Sequence, residues 1–290
     1  MMTDALLMMV RWVCMVRPKA MHPFPKRSAS FFREFELIVI TGGSSGIGRT
    51  FLRRIEESTT SAVVCNVSRT PPEGWILGPN RIHLTANLAE PAEIEGVVAA
   101  LQKLMPRTGR ILIINNSGFG AYGEFPSPGL EHTLQMIDVN SRAPVHLTGL
   151  LWPTLLQHGG MVVNIASLAA YQPVPLMATY AATKAFLLHW SIALDCEGKP
   201  HGVRCVAVCP GPVSTNFFKA AGFSKPTNLP GQSSDDCVDQ AIAAMLSAQP
   251  QIVTGWSNRI LSWFSARLPK PWAAALGLRA IERKLGRTVR

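Results

Sequence analysis

The sequence predicts a doubly wound α/β fold: one parallel sheet with helices on both faces, folded as a single domain. Three observations carry this. Short, continuous apolar runs rich in β-branched residues recur from Glu36 onward. Helical patterns of roughly 10–20 residues lie between most of them. A glycine-rich turn, TGGSSGIG at 41–48, joins the first run to the first helical pattern. Strands that read as unbroken apolar runs are buried on both faces, and intervening helices supply the cover.

In chain order, the predicted strands are ELIVI (36–40), SAVVCNV (61–67), RIHLTA (81–86), RILIIN (110–115), GMVVNIA (160–166) and VRCVAVC (203–209). The helical patterns are FLRRIEES (51–58), PAEIEGVVAALQKL (91–104), a long stretch over 130–157, and ATYAATKAFLLHWSIALDCEG (178–198). In such a fold, ligands lie beyond the carboxyl ends of the strands.

The chain carries a net charge of +10 over 290 residues. Residues 1–34 hold +4, residues 258–290 hold +7, and 35–257 are left at −1. The charge belongs to the ends. A nucleic-acid-binding fold wants a basic face on the domain itself, so nucleic acid is excluded as a partner. This divides the chain into a basic extension (1–34), the α/β domain (35–257) and a basic amphipathic tail (258–290). ALLMMVRWVCMV (5–16) is too short to span a bilayer and lacks the basic start and cleavage site of a signal peptide. The extension reads as disordered, or as preceding a native start at Met15 or Met21, with an amphipathic anchor as the alternative. In the tail, Trp and Leu recur at helical spacings among arginines and lysines, and Pro269 and Pro271 divide it into two short helices. Its apolar face packs on the protein or a neighbouring subunit, or it lies on an anionic membrane.

Six cysteines (14, 65, 196, 205, 209, 237) and seven histidines show no metal-ligand spacing. This predicts no metal site, no disulfide framework and a reducing, cytoplasmic setting, with peripheral membrane contact through the tail as the added option.

The turn after the first strand is the first functional signal. Gly42, Gly46 and Gly48 allow a tight turn and close backbone approach to a pyrophosphate, and the next helix points its free N–H groups at that phosphate. This makes the fold Rossmann-like. The ribose is read at the end of the second strand, where NAD enzymes want a carboxylate. No acid falls between Glu57 and Glu73; Ser68 and Arg69 stand there instead. A guanidinium suits a 2′-phosphate, so NADP(H) is favoured and NAD(H) remains an option. Gly42, Ser44 and Gly46 also match G-x-S-x-G, which makes a serine hydrolase using Ser44 one rival reading.

Tyr180 and Lys184 stand one helical turn apart in an otherwise apolar helix. Residues four apart share a helix face. A free phenol has a pKa of about 10, and a nearby ammonium favours the phenolate, so Lys184 is expected to pull Tyr180 toward the working pH.

Together the motifs resemble the short-chain dehydrogenases/reductases over residues 36–257. TGGSSGIG fits T-G-x-x-x-G-x-G, and NNSG (115–118) fits N-N-A-G with Ser117 for alanine. Asn140 in DVNS fits the family's helix asparagine, and Ser167 stands thirteen residues before Tyr180. YAATK (180–184) fits Y-x-x-x-K, and PGPVST (210–215) fits the family's P-G turn. The resemblance implies a catalytic set of Asn140, Ser167, Tyr180 and Lys184. Ser167 holds the substrate oxygen, Lys184 also bonds the nicotinamide ribose, and Asn140 completes a proton relay through water. It implies a cofactor site made by Gly42, Ser44, Ser45, Gly46, Ile47 and Gly48, by Ser68 and Arg69, and by Asn87 and Leu88. Asn115, Ser117 and Gly118, then Pro210, Gly211, Val213 and Thr215, complete it with Tyr180 and Lys184. Asn87 stands where the family usually has aspartate.

The implied function is an NADP-preferring oxidoreductase interconverting a carbonyl and a secondary alcohol. With NADPH it reduces a lipophilic ketone, aldehyde or 3-oxoacyl substrate, and Tyr180 is the proton donor. The resemblance also implies a homodimer or homotetramer built through the helices at 130–157 and 178–197, and a greasy lid at 216–231 with Phe217, Phe218 and Phe223. The second rival is a non-catalytic NADP-binding regulator on the same fold.

Overall fold

Parallel pairing runs through the whole sheet. β1 (Phe35–Thr41) is flanked by β2 (Val63–Val67) and β4 (Arg110–Asn115), and the order is β3-β2-β1-β4-β5-β6-β7. β3 is Arg81–Leu84, β5 Gly160–Ile165, β6 Val203–Cys209 and β7 Gln251–Val253. The computed structural model describes residues 30–105, 109–222, 231–247 and 249–285, excepting the side chains of 280–285. The expectations for residues 1–29, for Phe223, and for the side chains of Ile281 and Leu285 lie outside the described residues.

Alternation along each strand fills two layers. Ile38, Ile40, Leu112, Ile114 and Val163 face Phe51, Leu52 and Ile55 of α1 (Gly46–Glu57) and Val238 and Ile242 of α7 (Ser234–Leu246). Leu37, Val39, Ile111, Ile113 and Val162 face the other way. They meet Ile94 and Leu101 of α2 (Pro91–Gln102), Leu147 and Leu151 of α4 (Ala143–His158), and Leu194 of α5 (Ala178–Gly198). This is the predicted Rossmann-like single domain.

Several elements differ from expectation. The stretch 130–157 is two helices, α3 (Leu130–Ile137) and α4, joined by a π-helical turn at Asp138–Arg142. α1 starts at Gly46, inside the glycine turn. The four-residue α6 (Phe217–Ala220), α7 and the three-residue β7 carry no strong periodic signal. The expected boundary at residue 35 falls inside packed structure: Phe31 and Phe32 are buried, and Arg33 donates to the Ser58 carbonyl at 3.1 Å. The tail forms two helices, α8 (Trp256–Arg267) and α9 (Lys270–Leu285), which rest on the domain.

Strand order reverses between β1 and β4, so their carboxyl ends open a crevice. Beyond those ends lies a cleft of about 830 Å³, running from the glycine turn to Tyr180.

Candidate active site

At one end of the cleft the chain turns from β1 into α1. Gly42 has φ +69° and Gly46 φ +54°, conformations that side chains with a Cβ rarely adopt. A Cβ on Gly48 would collide with the Gly42 carbonyl and the Asn116 amide, so Gly48 lets helix and turn close on each other. The amide of Gly43 donates to Asn66 Oδ1 at 2.8 Å, which fixes the turn from β2. The Asn116 side chain donates to the carbonyls of Thr41 and Gly42 at 2.9 and 3.0 Å, which fixes it from β4.

α1 begins without a side-chain cap at Ser45 and without an acid in its first turn. Its leading amides and dipole therefore suit an anion. Gly42, Ser44, Ser45, Gly46 and Ile47 line the cleft there. Ser68 and Arg69, Asn87 and Leu88, Ser117 and Gly118, and Pro210, Gly211, Val213 and Thr215 line it further along. Among the described lining residues the charged groups are Arg69 and Lys184, both cations, and no carboxylate is present. An elongated, cationic cleft with an uncapped helix start fits a dinucleotide. Ser68 Oγ donates to the Thr70 carbonyl at 2.8 Å and accepts from Asn66, whereas Arg69 is exposed at the rim. Asn87 lines the cleft, and its Oδ1 accepts from the Ala89 amide at 3.2 Å.

Ser167, Tyr180 and Lys184 meet at the other end. Ser167 ends the β5 segment and its Oγ accepts from the Ala169 amide at 3.1 Å. The Tyr180 and Ser167 side chains both line this end of the cleft, with the Ser167 hydroxyl near the phenol. Lys184 Nζ donates to the Ile165 carbonyl at 2.8 Å and lies 5.9 Å from the Tyr180 ring centroid. Burial pushes the Tyr180 phenol up to about 12, against the lowering effect of the nearby Ser167 hydroxyl. Burial likewise lowers Lys184 to about 8. This corrects the expected tuning: desolvation dominates, and it holds the phenol in its protonated form.

Three predicted residues stand outside the cleft lining. Asn115 is buried and donates to Asn164 Oδ1 at 2.8 Å and Thr148 Oγ1 at 3.2 Å. It shares the face of Ile111 and Ile113, away from the cleft. Gly48 acts through packing. Asn140 is fully buried: its Oδ1 accepts from the Phe119 amide at 3.0 Å, and its Nδ2 donates to the Phe119 carbonyl and to Thr183 Oγ1 at 2.9 and 3.1 Å. That side-chain amide ties the loop after β4 to the Tyr180 helix, which gives Asn140 a positioning role. The π turn aims it there.

The sequence reading missed Asn66 and Asn116, which hold the glycine turn. A polar residue inside the apolar run VVCNV was the available signal for Asn66. It also missed Phe119, Val174 and Met177, which with Phe217 and Phe218 make the substrate end apolar. Phe217 lies 5.4 Å from the Tyr180 ring.

This fold and cleft are those of the short chain dehydrogenase family, whose model matches residues 36–224. The chain belongs to that family and is an oxidoreductase acting on CH–OH groups. It is 27% identical to the ketoacyl reductase HetN of Nostoc sp. over 257 residues, covering 78% of this chain and 88% of that one. It is 29% identical to a very-long-chain 3-oxoacyl-CoA reductase of Phaeosphaeria nodorum, covering 83% and 74%. Among solved structures, a short-chain dehydrogenase from Sphingobium yanoikuyae in complex with NADPH is similar at 28% identity and TM-score 0.67, covering 80% of this chain and 93% of that one. Family membership replaces the hydrolase reading of Ser44.

Proposed function

We propose that the protein reduces a lipophilic ketone, aldehyde or 3-oxoacyl substrate with NADPH, and that Tyr180 is the proton donor. The observation that carries this is the meeting of Ser167, Tyr180 and Lys184 where the cationic part of the cleft joins its apolar part. When bound, the nucleotide supplies the hydride. Arg69 at the rim favours a 2′-phosphate, and the NADPH-bound relative from Sphingobium supports the same choice. Ser167 Oγ orients the substrate oxygen beside the phenol. Tyr180 Oη gives up its proton as the alkoxide forms, and a phenol near 12 is fully protonated for that task at neutral pH. Lys184, fixed on Ile165, adds positive charge beneath the ring. Phe119, Met177 and Phe217 exclude water and favour a greasy substrate, as the 3-oxoacyl reductases among the relatives also suggest.

A homo-oligomer fits the same reading. Leu134, Ile137, Leu150, Leu156 and Phe186 are exposed on α3, α4 and α5, a surface suited to a second copy. NADPH oxidation against ketones, aldehydes and 3-oxoacyl thioesters of increasing chain length tests the function. Turnover that rises with chain length is expected. No turnover of any carbonyl would return the protein to the regulator reading.

A further inference from the structure

We infer that α8 and α9 form a docking face for an anionic membrane surface. The helices are turned the wrong way for a surface element in water. Their fully buried side chains are small, Ser262, Ser265 and Ala273, while Ile260, Phe264 and Leu278 are half-buried. Toward solvent they present Trp256, Leu261, Trp263, Trp272 and Leu276, and Trp272 is 68% exposed. A helix serving only its own core points its large apolar side chains inward. Here packing takes the small residues and only part of the apolar set, and Trp256, Leu261, Trp263, Trp272 and Leu276 are left facing outward.

The charge on that face selects the partner. Between Trp256 and Arg279 there is no acidic residue, and Arg259, Arg267, Lys270 and Arg279 are all exposed. Trp256, Arg259, Trp263 and Arg267 follow one stripe of α8, and the Arg267 guanidinium lies 4.0 Å from the Trp263 ring centroid. Trp272, Leu276 and Arg279 follow one stripe of α9. Indole rings, leucines and basic heads together match the boundary between headgroups and acyl chains of an anionic leaflet. A second copy of the chain would bring four like charges against four. Neither helix is long and apolar enough to cross a membrane.

The site of attachment matters. Lys270 Nζ donates to the Tyr171 carbonyl at 3.0 Å, and Gly277 lies against Pro175. Val174 and Met177, in the same loop, line the substrate end of the cleft. Docking would bring that end beside the lipid, where a lipophilic carbonyl concentrates. This consequence rests on the function proposed above; the docking does not.

Sedimentation of the full chain with phosphatidylcholine vesicles, with and without phosphatidylserine, tests the docking. The protein is expected to pellet with the anionic vesicles at low salt and to be released at high salt, where screening is short-ranged. At about fivefold in partitioning per basic residue, Arg267→Glu with Arg279→Glu lowers binding by roughly 25-fold or more. Trp263→Ser with Trp272→Ser and Leu276→Ser abolishes it, with unchanged circular dichroism and unchanged turnover of a soluble carbonyl. A full chain that stays in the supernatant at low salt overturns the inference, as does equal binding to neutral vesicles. So does a lipid-free wild type that is a larger oligomer than the serine variant, because a second copy then covers the face.

Discussion

Lys184 donates its Nζ to the carbonyl oxygen of Ile165, 2.8 Å away, and so anchors the Tyr180 helix to the end of β5. That strand end carries Ser167 two residues later. One buried ammonium therefore helps fix the distance between Tyr180 and Ser167, the proposed proton donor and substrate-orienting group. Gly118 makes this possible: a Cβ there would sit 3.1 Å from Nζ and 3.0 Å from Asn140 Oδ1.

Burying that ammonium has a measurable cost. Lys184 falls from its ordinary 10.5 to about 8, chiefly through desolvation. The folded state releases the proton near pH 8 and the unfolded state only near 10.5, so the unfolded state binds more protons in between. Stability from this group therefore rises with pH across that window. Lys184→Met removes the effect. The stability of the variant relative to wild type is expected to fall by a few kcal/mol from pH 8 to 10.5, at about 1.4 kcal/mol per pH unit. Denaturant melts at the two ends of the window measure it, and a constant difference would mean the ammonium is not desolvated.

Gly48→Ala is expected to do more damage than any other single methyl in the glycine turn. The added Cβ meets backbone, the Gly42 carbonyl, as well as the Asn116 amide. Overpacking of this kind costs about 1–3 kcal/mol, and here it also opens the turn that faces the phosphate. Thermal melts together with NADPH titration check it: both stability and nucleotide affinity should drop. Unchanged affinity would mean the turn does not hold the nucleotide.

Arg69→Ala separates the two nucleotides. Arg69 is exposed at the rim and is the sole charged group beyond β2 among the described lining residues. NADPH binding should weaken at least tenfold, the scale of about 1.4 kcal/mol, while NADH binding changes little. Equal losses in fluorescence titrations with both nucleotides would assign Arg69 no part in reading the phosphate.

Much of this was legible in the sequence because the signals are local. Apolar runs and helical patterns marked six of the seven strands, and the i, i+4 relation put Tyr180 and Lys184 on one face. What escaped depends on orientation. In a strand buried on both faces, periodicity does not say which way Asn115 points; the structure turns it to Thr148 and Asn164. The sequence marked Asn140 but not its side-chain partners: from a π-helical turn, its amide bonds the Phe119 backbone. The effect of Lys184 on Tyr180 was misjudged because burial, a property of the whole fold, outweighs the neighbouring charge. The tail's apolar residues were visible, but not that Ser262 and Ser265 would take the inner side.

The most direct measurement is NADPH turnover by Tyr180→Phe, alongside NADPH affinity. The variant keeps the ring against Phe217 and removes only the hydroxyl near Ser167. Turnover is expected to fall at least about a hundredfold, the usual scale for a general acid, with nucleotide affinity nearly unchanged. A variant that binds NADPH normally and still reduces the carbonyl at the wild-type rate would contradict the assignment of Tyr180 as the proton donor.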